Sequence, residues 1–159
     1  FINPYADPKL SGYQLIQSVI AVGSGGFLGR GLGRGIQSQL KFLPERQTDF
    51  IFATIAEELG LVGSLGLVLV YCFLLLRILK IAQNAPDQLS FFITSGTFVM
   101  FFFQGMINIG MNLGLMPITG ITLPLVSSGG SSLLATMISL GIVHNISLKQ
   151  KSQSPLEIR

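Results

Sequence analysis

An all-α, polytopic integral membrane fold is what this sequence predicts, and three observations carry the prediction. Apolar residues make up 49% of the 159 positions and charged residues only 11%, where a soluble domain carries about 25% charge. Mean hydropathy is +0.64. From Gln88 to Leu148 there is no Asp, Glu, Lys or Arg, a run long enough for two helices of about 20 residues each. The patterning predicts three membrane helices preceded by a long polar loop with short amphipathic helices. The chain opens FINPYADPKL, without an initiator Met or a basic n-region, and reads as the C-terminal piece of a longer protein whose other helices complete any site. Cys72 is the one cysteine, which excludes an internal disulfide or a cysteine metal cluster; it reads as an ordinary core residue.

Residues 1–49 are too polar and too rich in glycine to cross a bilayer. Within them, Leu15, Ile16, Val19 and Ile20 have the spacing of one helical face and predict a short amphipathic helix at the membrane surface. The stretch GSGGFLGRGLGRG, Gly23 to Gly35, supplies seven glycines, which favour turns and close backbone approach over a stable helix. The first span is predicted over 50–79, with Thr48 or Asp49 as its N-cap and Arg77 and Lys80 at its far end. A short loop, 80–88, leads to a phenylalanine-rich second span over 89–114. Its amides Gln104, Asn108 and Asn112 recur every fourth residue, on one face. After the loop 115–124 comes the third span, 125–147, opened by SSGGSS at Ser127 to Ser132, small residues that allow close helix packing. A tail follows over 148–159.

Basic residues set the orientation. Arg77 and Lys80 flank one connection and Lys149, Lys151 and Arg159 follow the last span, whereas 115–124 carries none. The positive-inside rule therefore places the tail and 80–88 in the cytoplasm, with 1–49 and 115–124 outside. The outer loop nonetheless holds Lys9, Arg30, Arg34, Lys41 and Arg46. Long loops weigh little in that rule, and so many cations held outside point to an anionic ligand.

The chemistry concentrates where FLPERQTDFIFATIAEELG, Phe42 to Gly60, runs from a polar loop into the first span. Asp49 sits at that boundary. As an N-cap it would satisfy free backbone N–H groups; as a carboxylate losing hydration it would remove a proton from a sugar hydroxyl. Spacing alone separates neither role from the other. Glu57 and Glu58 follow at about 12 and 14 Å along the helix. Glu57 falls within about 80° of Asp49 and Glu58 on the opposite side; both also suit helix packing or pairing with a base elsewhere in the protein. Arg30, Arg34, Lys41 and Arg46 are candidates for diphosphate oxygens, because guanidinium groups bind phosphate bidentately. A soluble loop explains such charges as well. The glycine run matches neither dinucleotide nor P-loop spacing. Gln104 and Asn108, with Ser127 and Ser128, are candidate cavity or packing groups, the amides reading first as interhelical glue. His144 has no second ligand at metal spacing, and the serines do not form a nucleophile elbow. No metal site is recognised and no nucleic-acid partner is expected.

Two ordered motifs now bear on identity. LPERQTDFIFATIAEELG, Leu43 to Gly60, preceded by FLGRGLGRG, and GLMPITGITLPLVSSGGSS, Gly114 to Ser132, resemble the C-terminal half of the FtsW/RodA/SpoVE family of shape, elongation, division and sporulation proteins. The resemblance covers nearly the whole chain. It implies helices eight to ten of a ten-helix bundle in the bacterial plasma membrane, preceded by the large extracytoplasmic loop. It also implies an inverting glycosyltransferase that transfers a growing glycan from undecaprenyl diphosphate to the 4-hydroxyl of lipid II. The family's essential acid falls on Asp49. Arg46-Gln47 stands where many members carry a pair such as Ala-His, so a role for a neighbouring histidine is closed to this chain. FLPERQTDF leans toward the elongation branch. The implied partners are lipid II, membrane lipids and a class B penicillin-binding protein. No cofactor is identified; Asp49 with an acid from the rest of the protein would make a divalent cation site. Two alternatives stand beside the polymerase: a lipid II flippase whose path is lined by Glu57, Gln104 and Asn108, and a non-catalytic scaffold for a transpeptidase.

Overall fold

The computed structural model describes residues 11–34 and 48–153; Lys41 and Arg46 lie outside the described residues. All the regular structure described is helical: α1 spans Ser11–Ser24, α2 Ile51–Gln83, α3 Gln88–Asn112 and α4 Gly130–Gln153. α2, α3 and the Gly130–Gln150 part of α4 are each long and apolar enough to cross a membrane, so the multi-pass fold read from composition stands.

The helix ends differ from the predicted ones for identifiable reasons. α2 is capped by Phe50, which makes no side-chain cap bond, so neither Thr48 nor Asp49 is the N-cap. It continues a turn past Lys80 to Gln83, where the Asn84 side chain donates to Lys80 O at 2.8 Å. Asp87, in extended conformation, caps α3 by accepting from Ser90 N at 2.7 Å. α3 ends at a glycine turn: Gly114 has φ +76°, Gly114 N donates to Met111 O and Leu115 N to Gly110 O, the paired C-terminal bonds that a left-handed residue permits. α4 begins at Gly130 rather than Leu125. Leu125 is left-handed, φ 66°, which a helix cannot contain, so Ser127 and Ser128 precede the helix instead of opening it.

α2 is not one continuous helix. At Gly60 the backbone turns to φ 68°, ψ −162°, a region essentially reserved for glycine. The half-helix 51–59 is thereby set apart from 61–83. The break is filled by the glycine run after α1. Arg30 N donates to Glu57 O and Gly31 N to Glu58 O, both at 3.0 Å, while Leu61 N donates to Gly26 O at 2.9 Å and Val62 N to Phe27 O at 3.3 Å. Each of these is a group that an unbroken helix would have paired internally. Contact is close enough that a methyl at Gly25 would strike Ala56 O, one at Gly29 would strike Glu58 O, and one at Gly60 would strike Gly29 N. The glycine run thus makes the close backbone approach its composition predicts.

α1 is the short helix that its apolar spacing predicts. Its buried residues are Gly12, Ser18 and Ala21, with Gly25 just beyond; of the apolar face, Leu15 and Ile16 are half-buried and Val19 and Ile20 exposed. Small residues let this helix approach α2 and α3 closely. One core cluster gathers Tyr71, Leu75, Ile78, Phe101, Leu123 and Val143, in which Tyr71 OH donates to Phe101 O at 2.8 Å. A second cluster, Ala21, Phe50 and Ala53, joins α1 to the start of α2. Cys72, expected in the core, is exposed, one residue off the buried face that Tyr71 and Leu75 define.

Candidate active site at the start of the second helix

α3 and the segment before α4 converge on the backbone of Thr48 and Asp49. Asn108 Nδ2, from α3, donates to Asp49 O at 3.0 Å and to Ile121 O at 2.8 Å. One turn on, Asn112 Nδ2 also donates to Asp49 O at 3.0 Å. Ser127 Oγ donates to Thr48 O at 2.6 Å and accepts from Leu123 N at 2.8 Å. Both asparagines are wholly buried, where an amide must be fully bonded to be tolerated. The four-residue spacing that suggested glue between helices is therefore glue of a specific kind: it fixes the main chain that carries the acid.

Asn112 does a second thing. Its Oδ1 accepts from Ala53 N at 3.1 Å, the third N–H of α2, which a helix start leaves without an internal partner. A side chain from α3 thus supplies the cap that Asp49 was a candidate to supply. Ser18 Oγ, from α1, backs the same amide, donating to Asn112 O at 2.9 Å and to Oδ1 at 3.3 Å. Asp49 is half-buried. Beside its carboxylate stands Gly120, φ +69°, where an added methyl would lie 3.6 Å from Asp49 Oδ2. The loop 115–124 forms a wall there, and glycine keeps that wall low.

The other sequence candidates sit elsewhere. Glu57 is fully buried and Glu58 half-buried, and their carbonyls hold the glycine run. That run meets α2 about 12 Å along the axis from Asp49. Arg30 is exposed and its Nε donates to Ser24 O at 3.2 Å; Arg34 is exposed too. Gln104 is half-exposed and Ser128 exposed. Among the described residues no three His, Cys, Asp or Glu side chains converge as a metal site would require. These residues do not by themselves fit a metal ion. Ser18 and Gly120 were missed from sequence, and Asn112 was seen only as part of the amide ladder; the period of four was the signal that pointed to it.

At the opposite end of α3, the Asp87 carboxylate accepts from Ser90 N and pairs with Lys149 Nζ at 3.2 Å. The Ser90 hydrogen bonds, and after them Lys149, hold its pKa below the ordinary carboxylate value. A groove of about 430 Å³ opens beside them, between the start of α3 and the end of α4, remote from Asp49.

Comparison with known proteins decides the family. The FtsW/RodA/SpoVE profile, described as "Cell cycle protein", matches residues 1–152. The chain belongs to the FtsW/RodA/SpoVE family. Among curated FtsW/RodA/SpoVE proteins it is 48% identical over 153 residues to "Peptidoglycan glycosyltransferase MrdB" of Escherichia coli K12, covering 96% of this chain and 41% of that protein. It is 50% identical over 149 residues to "Stage V sporulation protein E" of Bacillus subtilis, covering 92% and 40%. With "Peptidoglycan glycosyltransferase RodA" of Treponema pallidum it shares 45% over 150 residues, covering 94% and 35%. A solved structure, "Structural coordination of polymerization and crosslinking by a peptidoglycan synthase complex", superposes with a TM-score of 0.76 at 37% identity, covering 92% of this chain and 39% of that one. The chain spans about two-fifths of the length of these relatives.

Proposed function

We propose that this segment, within the whole protein, carries the acid of an inverting glycosyltransferase that polymerises peptidoglycan, with Asp49 as the general base. In this reading Asp49 takes the proton from the 4-hydroxyl of a lipid II acceptor as that oxygen bonds to the anomeric carbon of the growing glycan. The carbon's bond to undecaprenyl diphosphate breaks from the opposite face, and the leaving diphosphate takes the electron pair. The observation that carries the reading is the division of labour at the start of α2. Asn112 caps Ala53 N while Asn108, Asn112 and Ser127 hold the backbone of residues 48 and 49, so side chains from other segments fix the main chain that carries the half-buried Asp49 carboxylate. Relatives of this chain are named peptidoglycan glycosyltransferases or probable ones, among them MrdB, RodA and FtsW, which supports the glycosyltransferase reading.

Arg30, Arg34, Lys41 and Arg46 are the proposed cations for the diphosphate, and a class B penicillin-binding protein is the proposed partner, in keeping with the synthase complex named for the structural neighbour. With the tail cytoplasmic, Asp49 faces outward. A divalent cation between Asp49 and the diphosphate stays a proposal that chelation tests. The flippase reading loses part of its path, because Glu57 and Asn108 are fully buried and Asn108 is spent on backbone carbonyls.

The test is glycan polymerisation from purified lipid II by the whole protein, with and without its transpeptidase partner. Asp49→Asn is expected to fold and bind lipid II but to polymerise at least about 100-fold more slowly, the lower range for losing a general base. Equal polymerisation by the two proteins would sink the assignment.

A further inference from the structure

We propose that Asn112 is a positioning residue for the transfer reaction, setting the place of the Asp49 carboxylate without touching substrate. The inference rests on Asp49 being the working base, and the experiment below separates the two ideas.

A primary amide offers two donor hydrogens and an oxygen with two lone pairs. In Asn112 both hydrogens and the oxygen are engaged. Nδ2 donates to Asp49 O at 3.0 Å and to Asn108 O at 2.8 Å. Oδ1 accepts from Ala53 N at 3.1 Å, and the single hydroxyl hydrogen of Ser18 is shared between Asn112 O at 2.9 Å and Oδ1 at 3.3 Å. One buried group therefore grips the carbonyl of the acid itself and an N–H of the helix that follows it, bracketing Asp49 and the first turn of α2. No other natural side chain repeats this. Aspartate is the same shape but has no hydrogens for the two carbonyls; glutamine places its amide one carbon further out, in a site with no exposed surface.

The bonds also fix how error would propagate. Asp49 O is the backbone atom nearest the acid that α3 holds, and it is held by two amides. Asn108 shares that carbonyl but spends its other hydrogen on Ile121 O, in the loop beside the carboxylate. Asn112 alone among the two ties Asp49 to the helix axis through Ala53. Losing it leaves Asp49 O tethered on one side and frees the first turn of α2 to rotate. A base displaced by about 1 Å costs on the order of 100-fold in rate, while the affinity for a substrate bound elsewhere is unaffected.

The measurement is steady-state polymerisation of lipid II by the whole protein in detergent, with rates expressed per folded molecule by thermal-shift and gel-filtration calibration. Asn112→Ala is expected to lower kcat by about 100-fold with KM within about twofold of wild type. Wild-type kcat per folded molecule would overturn the proposal and assign Asn112 to stability alone, as would a rise in KM with kcat unchanged. If Asn112→Ala does not fold, Ser18→Ala decides: it removes only the hydroxyl behind the amide, and is expected to lower kcat about fivefold, the worth of one neutral hydrogen bond, at unchanged KM. Unaltered kcat in that variant overturns the proposal. Asp49→Asn is run in parallel. Full activity there defeats the base assignment, whereas an inactive Asp49→Asn beside fully active, folded Asn112 and Ser18 variants defeats the positioning role only.

Discussion

The half-helix 51–59 is fastened at both ends, by opposite means. At its start, side chains from α1, α3 and the segment before α4 reach backbone groups of Thr48, Asp49 and Ala53, directly or through Asn112. At its end, the glycine run pairs backbone to backbone across the break at Gly60, which the missing Cβ atoms permit, while Ser64 Oγ donates to Gly60 O at 2.7 Å. The first fastening depends on which functional group stands at each position. The second depends on there being no Cβ at three positions. The start of the half-helix is therefore sensitive to side-chain identity, and its end to side-chain size.

Breaking the glycine end gives the largest expected effect on stability. Gly60→Ala puts a methyl against Gly29 N and Phe27 O at φ +68°. A non-glycine residue in that region costs about 1–3 kcal/mol, and forcing backbone apart in a packed site adds about 1–3. The whole protein in detergent is expected to lose most of its folded fraction, read by gel filtration and melting temperature; a wild-type melting point would show that the break is tolerant and the comparison false.

Asn108→Leu probes the start more gently. It leaves Asp49 O with its Asn112 bond but strands Ile121 O, at about 1–3 kcal/mol for a buried unpaired group. A fall of a few degrees in melting temperature is expected, together with a drop in polymerisation per folded molecule larger than the fraction unfolded explains. Proportional losses would instead place Asn108 with the glycines, as architecture only.

The smallest effect lies outside both ends. Asp87, held below its ordinary pKa by Ser90 and Lys149, stabilises the protein when ionised. The contribution is present above the unfolded carboxylate's titration and is lost as pH falls through the depressed value. Lys149→Ala removes the weaker, exposed part of this, so its melting temperature is expected to fall only slightly at neutral pH and to converge on wild type in acid. A deficit that persists in acid would mean that Lys149 acts by packing rather than charge.

Much of this arrangement is legible in the sequence, because it rests on hydropathy and on the period of four. The charge-free run from Gln88 to Leu148 announces the last two spans, and the polar-to-apolar step at Asp49 announces the first. Asn108 and Asn112 recur at helical spacing, which places them on one face without saying what they face. What the sequence leaves dark depends on contacts distant along the chain. Gly60 sits in an apolar run and reads as helix interior; only the glycine run arriving from 26–31 turns it into a break. Phe50 as an uncapped start is equally hidden, because the cap comes from a residue on α3. In α1 the apolar spacing announces a helix without saying which residues meet the bundle; Ser18 and Ala21 do, since close approach of backbones favours what is small over what is greasy.

The break at Gly60 also constrains the order of assembly. A membrane helix interrupted at Gly60 leaves carbonyls at Glu57 and Glu58 and N–H groups at Leu61 and Val62 with no internal mates, and lipid offers none. Their mates, Gly26, Phe27, Arg30 and Gly31, precede α2 in the chain and leave the ribosome first. The glycine run can therefore wait at the membrane surface as α2 inserts, and docking completes the backbone of both at once. Synthesis from N- to C-terminus delivers the filler before the gap.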